Sequence, residues 1–170
     1  DFRGRIVHPQ HWDDLDYNDK KVVIIGSGAT AITIVPAMAD KAQHITMLQR
    51  SPSYVMSVPQ DDLMVNLLRK FLPETWVYRI TRTRNIALTS LWYNYCKTFP
   101  NSARRLISKL NIKEVGNDFN MEHFTPKYNP WDERLCAVPD GDLFEALREK
   151  KASIVTDHID HFTETGIQLK

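Results

Sequence analysis

An α/β fold, with a parallel sheet interrupted by a helical insertion, is what this sequence predicts, and three observations predict it. A short apolar run at residues 20–26 ends in glycine and is followed by an alanine-rich stretch and a second apolar run. Residues 60–115 then place their large apolar side chains at helical spacing. Beyond residue 150 the chain returns to short alternating segments. The 170 residues, 42% hydrophobic and 25% charged, suit a folded domain or little more.

Residues 1–19 are polar and irregular and read as an ordered connector. Lys20-Lys21-Val22-Val23-Ile24-Ile25-Gly26 is the continuous run expected of a parallel strand buried on both faces. Residues 29–39, with Ile32, Val35 and Met38 as the larger apolar side chains, predict a helix packed closely on a sheet, although Pro36 sits awkwardly inside it. Ile45-Thr46-Met47-Leu48 predicts a second strand, so residues 20–50 form a βαβ unit. Leu63, Leu67, Leu68 and Phe71 mark a helical segment that Pro73 ends. Trp76, Ile80, Ala87, Leu88, Leu91, Trp92 and Tyr95 mark a second helix, and residues 103–110 a third. Arg79, Arg82, Arg84, Arg104, Arg105 and Lys109 make this block basic, and two readings stay open: a solvated helical face, or a surface that meets phosphate or membrane. Residues 121–140 read as a structured loop. Asp142 then caps a helix over 143–149 after an Asp140-Gly141 turn. Residues 153–156, 158–163 and 167–169 alternate like strands, with Thr165-Gly166 as a hairpin turn. The expected organisation is a connector over 1–19, a first nucleotide-binding part over 20–58, a helical insertion over 59–120, and a loop with a return to the sheet over 121–170.

Charge and cysteine usage exclude several classes. A net charge of +1 gives no global field for nucleic acid. Cys96 and Cys136 stand far apart in no CxxC pattern, which predicts reduced thiols and neither a disulfide framework nor zinc. His11, His44, His123, His158 and His161 show no ligand spacing and read as structural, so no metal is expected. No stretch approaches the roughly 20 apolar residues of a membrane span, and no signal peptide is visible. A cytoplasmic location is the expectation. With Asp1 first and Lys170 closing what reads as a strand, the chain itself reads as a fragment.

Gly26-Ser27-Gly28-Ala29-Thr30-Ala31 is G-x-G-x-x-A between the predicted strand and helix. Gly26 makes the turn, Gly28 lets a pyrophosphate approach the backbone, and Ala31 lets the helix lie close to the sheet. The pyrophosphate would take the free N–H groups and the positive end of the helix dipole. This makes the fold a Rossmann-like dinucleotide-binding domain. An NAD site carries Asp or Glu about 20 residues further on, on the ribose hydroxyls. Here the second strand ends in Gln49-Arg50-Ser51, which with residues 26–31 are the expected cofactor-binding residues, and Arg50 stands where the acid would be. A guanidinium suits a 2′-phosphate, and Ser51 adds a hydroxyl donor, so NADP is preferred to NAD.

Phe2-Arg3-Gly4-Arg5-Ile6-Val7-His8-Pro9-Gln10-His11-Trp12-Asp13, just ahead of the cradle, reads F-x-G-x-x-x-H-x-x-x-W-D. Phe2, Gly4, His8, Trp12 and Asp13 match the fingerprint of type I Baeyer–Villiger monooxygenases, which the chain resembles over essentially its whole length. Met47-Leu48-Gln49-Arg50-Ser51-Pro52, His123-Phe124-Thr125-Pro126, Tyr128-Asn129-Pro130-Trp131-Asp132 and Asp157-His158-Ile159 look like the actinobacterial subgroup that includes ethionamide-activating monooxygenases.

The resemblance implies an enzyme that uses NADPH, FAD and O2 to insert one oxygen atom into a ketone, giving an ester or lactone, and to oxidise sulfur compounds. FAD would be held mainly outside these residues. The family's active-site arginine matches Arg134 in Trp131-Asp132-Glu133-Arg134-Leu135, a fixed cation for negative charge that develops on oxygen. The bland alternative is that Arg134 ties its loop to Asp132 or Asp140. Many relatives carry Lys where this chain has Glu133, which implies modest discrimination between NADPH and NADH. His8 and Trp12 would couple cofactor binding to domain movement, or simply pack. Two competing readings are a flavin-containing nitrogen or sulfur monooxygenase and a non-catalytic NADP-binding module.

Overall fold

The computed structural model describes residues 2–12 and 15–170, so Asp13 of the fingerprint lies outside the described residues. The α/β class and the parallel sheet are as expected. β1 (Lys21–Ile25), β2 (His44–Gln49) and β5 (Ala152–Thr156) form a parallel sheet with β2 in the middle. The register sets Val22 and Ile24 of β1 beside Ile45 and Met47 of β2, which lie beside Ala152 and Ile154 of β5. These six side chains share one face, because alternate residues of a strand point the same way. α1 (Ala29–Met38) and α5 (Asp142–Arg148) pack against each other there. Ile32, Val35, Ile45, Met47, Val138, Leu143 and Phe144 close the core.

β1 departs from expectation. Only one face is covered: Val23 and Ile25, on the other, are 46% and 55% exposed, and no strand among the described residues pairs with its outer edge. A continuous apolar run does not by itself say which strands flank it.

Two strands were not read from the sequence. β3 (Tyr54–Val58) pairs in parallel with β4 (Leu135–Pro139), which lies within the stretch expected to be a loop. Flanking prolines and polar residues hide both, and the partners are about 80 residues apart, beyond any local pattern. The helix α1 runs through Pro36 and ends two residues later, with Ala39 N–H bonded to the Pro36 carbonyl. A proline so near a C-terminus costs few helical bonds. Asp142 is the first residue of α5 rather than its cap; Gly141, at φ 74°, precedes it, and the Asp142 carboxylate still accepts from Leu143 N–H at 2.9 Å.

Between β3 and β4 lie α2 (Leu63–Leu68), α3 (Glu74–Thr98) and α4 (Pro100–Val115). Asp62 caps α2 by accepting from Met64 and Val65 N–H, and it pairs with Arg84 of α3. α4 buries Ala103, Ile107, Asn111 and Val115, one residue per turn, toward β3 and α5. Most of α3 stays in water, with Arg79 set over the Trp76 ring at 5.8 Å. Among the described residues no helix is long and apolar enough to cross a membrane, and no cluster of His, Cys, Asp and Glu could hold a metal ion. The chain closes with the antiparallel pair β6 (Ile159–Phe162) and β7 (Ile167–Leu169), its turn held by Thr163 N–H on the Gly166 carbonyl.

Phe144 is fully buried, so Phe144→Ala should cost about 3–5 kcal/mol of stability in equilibrium urea denaturation. Trp76→Ala, at a site 56% exposed, should shift it by no more than about 0.5 kcal/mol.

Candidate functional site

The G-x-G-x-x-A turn has the form its residues predict. Gly26 sits at φ 124°, a backbone region that side chains rarely adopt, and donates its N–H to the Leu48 carbonyl at 2.7 Å. Gly28 is the N-cap of α1 and supplies no side-chain cap; the first helical bond is Ile32 N–H to its carbonyl. The N–H groups of Ala29, Thr30 and Ala31 are therefore left over at the positive end of the helix. A Cβ built on Gly28 meets nothing within 4 Å, so the space before this helix end is open. Ala31 is buried against the sheet.

The end of β2 lies on the same rim. Arg50 and Ser51 are exposed. Gln49 is not: it is 2% exposed, and its amide donates to the His123 carbonyl and to Thr156 Oγ1, both at 2.8 Å. Thr156 Oγ1 in turn lies 2.7 Å from His123 Nδ1. With its oxygen accepting from Gln49, the threonine can donate to Nδ1 only if that nitrogen is unprotonated. Burial works in the same direction, pushing the His123 pKa below its ordinary 6.5.

Arg134 meets the cradle. Tyr54 of β3 is registered with Leu135 of β4, so the residues just before them, Ser53 and Arg134, are neighbours. Arg134 Nε donates to Ser53 Oγ at 2.9 Å and Nη2 to Ser27 Oγ at 3.3 Å; the two hydroxyls are 3.2 Å apart. Nη1 has no hydrogen-bond partner among the described residues. Neither Asp132 nor Asp140 holds this side chain: Asp132 pairs with Lys97 at 2.7 Å, and Asp140 accepts from Gln60 N–H. The buried Cys136 lies with its Sγ 4.0 Å from the Ser27 carbonyl, and burial raises its thiol pKa. Glu133 is exposed. Ser53 and Cys136 were missed from the sequence. Only the strand pairing, not any local spacing, brings them to the cradle.

The connector residues gather elsewhere. A Cβ on Gly4 would lie 2.3 Å from the Phe2 ring, so the ring lies over the glycine. Arg3 bonds the 163–166 turn through Glu164. His8 Nδ1 accepts from Gln10 N–H and so caps a short 3-10 turn, and Trp12 is 46% exposed. Among the described residues, no hydrogen bond, ion pair or ring contact joins Phe2, Gly4, His8 or Trp12 to the cradle.

No protein-family model matches the chain. It is 55% identical, over 99% of its length, to MymA of Mycobacterium tuberculosis, described as an FAD-containing monooxygenase. It is 54% identical to AlmA of Acinetobacter baylyi, described as an FAD-binding monooxygenase, and 49% identical to the FAD-containing monooxygenase EthA of M. tuberculosis. The chain spans about a third of the length of these curated relatives, 34–35%. Its fold matches that of a steroid monooxygenase bound to NADP, with a TM-score of 0.73 at 20% identity over 99% of this chain and 39% of the other. It also matches OTEMO in complex with FAD and NADP, with a TM-score of 0.71 at 17% identity over 99% of this chain and 40% of the other. The resemblance read from the sequence is thus borne out: the chain is similar throughout to a part of flavin monooxygenases.

Two outcomes follow from the local geometry. Gly26→Ala should destabilise the chain by roughly 1–2 kcal/mol, because of its positive φ, while Gly28→Ala should be near neutral in the same denaturation assay. Because the His123 pKa is lowered on folding, its contribution is complete above pH 6.5 and is lost as the pH falls below that value. His123→Gln should flatten stability-against-pH curves in that window.

Proposed function

We propose that this chain is the NADP(H)-binding part of a Baeyer–Villiger-type monooxygenase, which uses NADPH, FAD and O2 to convert a small ketone to an ester or lactone and to oxidise sulfur compounds. The observation that carries this is the junction of the uncapped, open N-terminus of α1 with the Arg134 guanidinium on Ser27. Two positive features converge where a dinucleotide phosphate is expected. The similarity to FAD-containing monooxygenases supplies the reaction class.

The residues divide the work. The N–H groups of Ala29, Thr30 and Ala31 take the pyrophosphate, and Gly26, Ser27 and Gly28 shape the turn beneath it. Arg50 pairs with the 2′-phosphate and Ser51 donates to it. Gln49, spent inward on His123 and Thr156, fixes the strand end from which Arg50 and Ser51 project. Arg134 spends Nε on Ser53 and Nη2 on Ser27, and its remaining nitrogen, Nη1, suits the guanidinium to meet the cofactor phosphate and to stabilise negative charge on a reacting oxygen. FAD, when bound, would supply the redox chemistry that links NADPH to the activation of O2. Phe2, Gly4, His8 and Trp12 lie on an exposed connector, a position from which cofactor binding could be coupled to domain movement.

The test is turnover by the full-length protein purified with FAD. NADPH consumption is followed under air with a simple methyl ketone and, separately, with a thioether, and the products are identified. Ester from the ketone is the expected result. Sulfoxide without ester would move the assignment to the flavin-containing nitrogen or sulfur monooxygenases. No product and no flavin reduction would leave nucleotide binding alone. With Glu133 in place of the lysine common in relatives, discrimination between NADPH and NADH should be modest, and a preference of several thousandfold in steady-state kinetics would overturn that. Gly28→Val should fold normally yet bind NADP+ far more weakly by calorimetry, since its side chain fills the open approach.

A further inference from the structure

We propose that Tyr128 and Arg104 are positioning residues for Arg134, and that the helical block serves as the scaffold that aims this guanidinium at the cradle. This rests on the reading of Arg134 given above. Arg134 is exposed and long, and such a side chain loses much rotamer freedom when held in one place. Something must hold its backbone if Ser53 and Ser27 are to receive it.

The holding chain is continuous. Arg104 of α4 donates one nitrogen, Nη2, to the carbonyls of Lys127 and Tyr128, each at 3.0 Å. Tyr54 Oη donates to the same Tyr128 carbonyl at 3.0 Å, and burial keeps this phenol protonated by raising its pKa. The Tyr54 and Tyr128 rings meet edge to face at 5.4 Å. Tyr128 is thus gripped at its backbone, and its own hydroxyl donates to the Arg134 carbonyl at 3.0 Å. Two further ties run from α3 to the same loop: Lys97 pairs with Asp132, and Tyr93 packs against Trp131, whose backbone holds φ 68°. The last link matters most, because the residue whose carbonyl Tyr128 holds is the one whose side chain returns to Ser27. Tyr54 directly follows Ser53, so one strand end serves both the backbone and the side chain of the arginine.

A double-mutant cycle on NADP+ binding in the full-length flavin-loaded protein tests this. Arg134→Ala should weaken the Kd by about tenfold or more. Tyr128→Phe removes one hydroxyl and should weaken it roughly three- to tenfold. In the Arg134→Ala background, Tyr128→Phe should cost nothing further. Arg104→Lys, which keeps a donor for the Tyr128 carbonyl, should bind better than Arg104→Met, and thermal melts of all variants separate binding from folding. An equal Tyr128→Phe penalty with and without Arg134 would show plain loop stability and overturn the proposal. A penalty from Arg134→Ala with none from Tyr128→Phe would overturn the positioning role alone. No effect of Arg134→Ala on NADP+ binding would separate Arg134 from the cofactor phosphate and overturn this proposal; turnover of the same variant, unchanged as well, would remove the assignment of Arg134 to the reacting oxygen.

Discussion

The parallel pairing of β3 with β4 sets Tyr54 beside Leu135, and it thereby brings Ser53 and Arg134 together one step before each strand. In a parallel pair, alternate positions on both strands share a face, so a slip of one residue would turn the Arg134 side chain away from Ser53 and Ser27. The α1–β4 packing, with Val138 in the core and Cys136 against the Ser27 carbonyl, holds that register. The loop, the helices and the cradle all depend on it.

The junction sets two features of positive sign side by side. The N-terminus of α1 carries a partial positive charge, and the Arg134 guanidinium hydrogen-bonds the second residue of the turn that leads into it. No carboxylate of the described residues is bonded to Arg134, and the hydroxyls of Ser27 and Ser53 offer dipoles without charge. Two like-signed features held together by neutral partners repel modestly, a repulsion that an anion placed between them would relieve. The rim at Arg50 extends the same sign along the ends of the strands.

The parts of this architecture written in neighbouring residues were legible in the sequence. Gly26, Gly28 and Ala31 announced the turn because each must be small for a local reason, and Ile32, Val35 and Met38 announced the helix because they repeat at its period. The fingerprint over residues 2–13 carried the family resemblance without revealing any contact to the site. What stayed hidden depends on distant pairing. Leu135-Cys136-Ala137-Val138-Pro139 is too short and too flanked by turn-forming residues to announce a strand, and it becomes one because Tyr54–Val58 lies beside it. Ser53, Tyr54, Arg104 and Tyr128 gained meaning in the same way. Gln49 shows the converse: it reads with Arg50 and Ser51 as a cofactor-binding residue, whereas its amide faces inward.

β1 lies at the margin of its sheet with its outer amides and carbonyls unpaired by any described strand, and with Val23 and Ile25 largely in water. Such a margin is a template onto which any extended segment of suitable pattern can add. The charges at Lys20 and Lys21 discourage this only at one end of the strand. The chain handled by itself at high concentration would therefore be prone to self-association through β1. In the same fold embedded in a larger protein, that margin is a seam open to one added strand, and covering it removes the exposed edge.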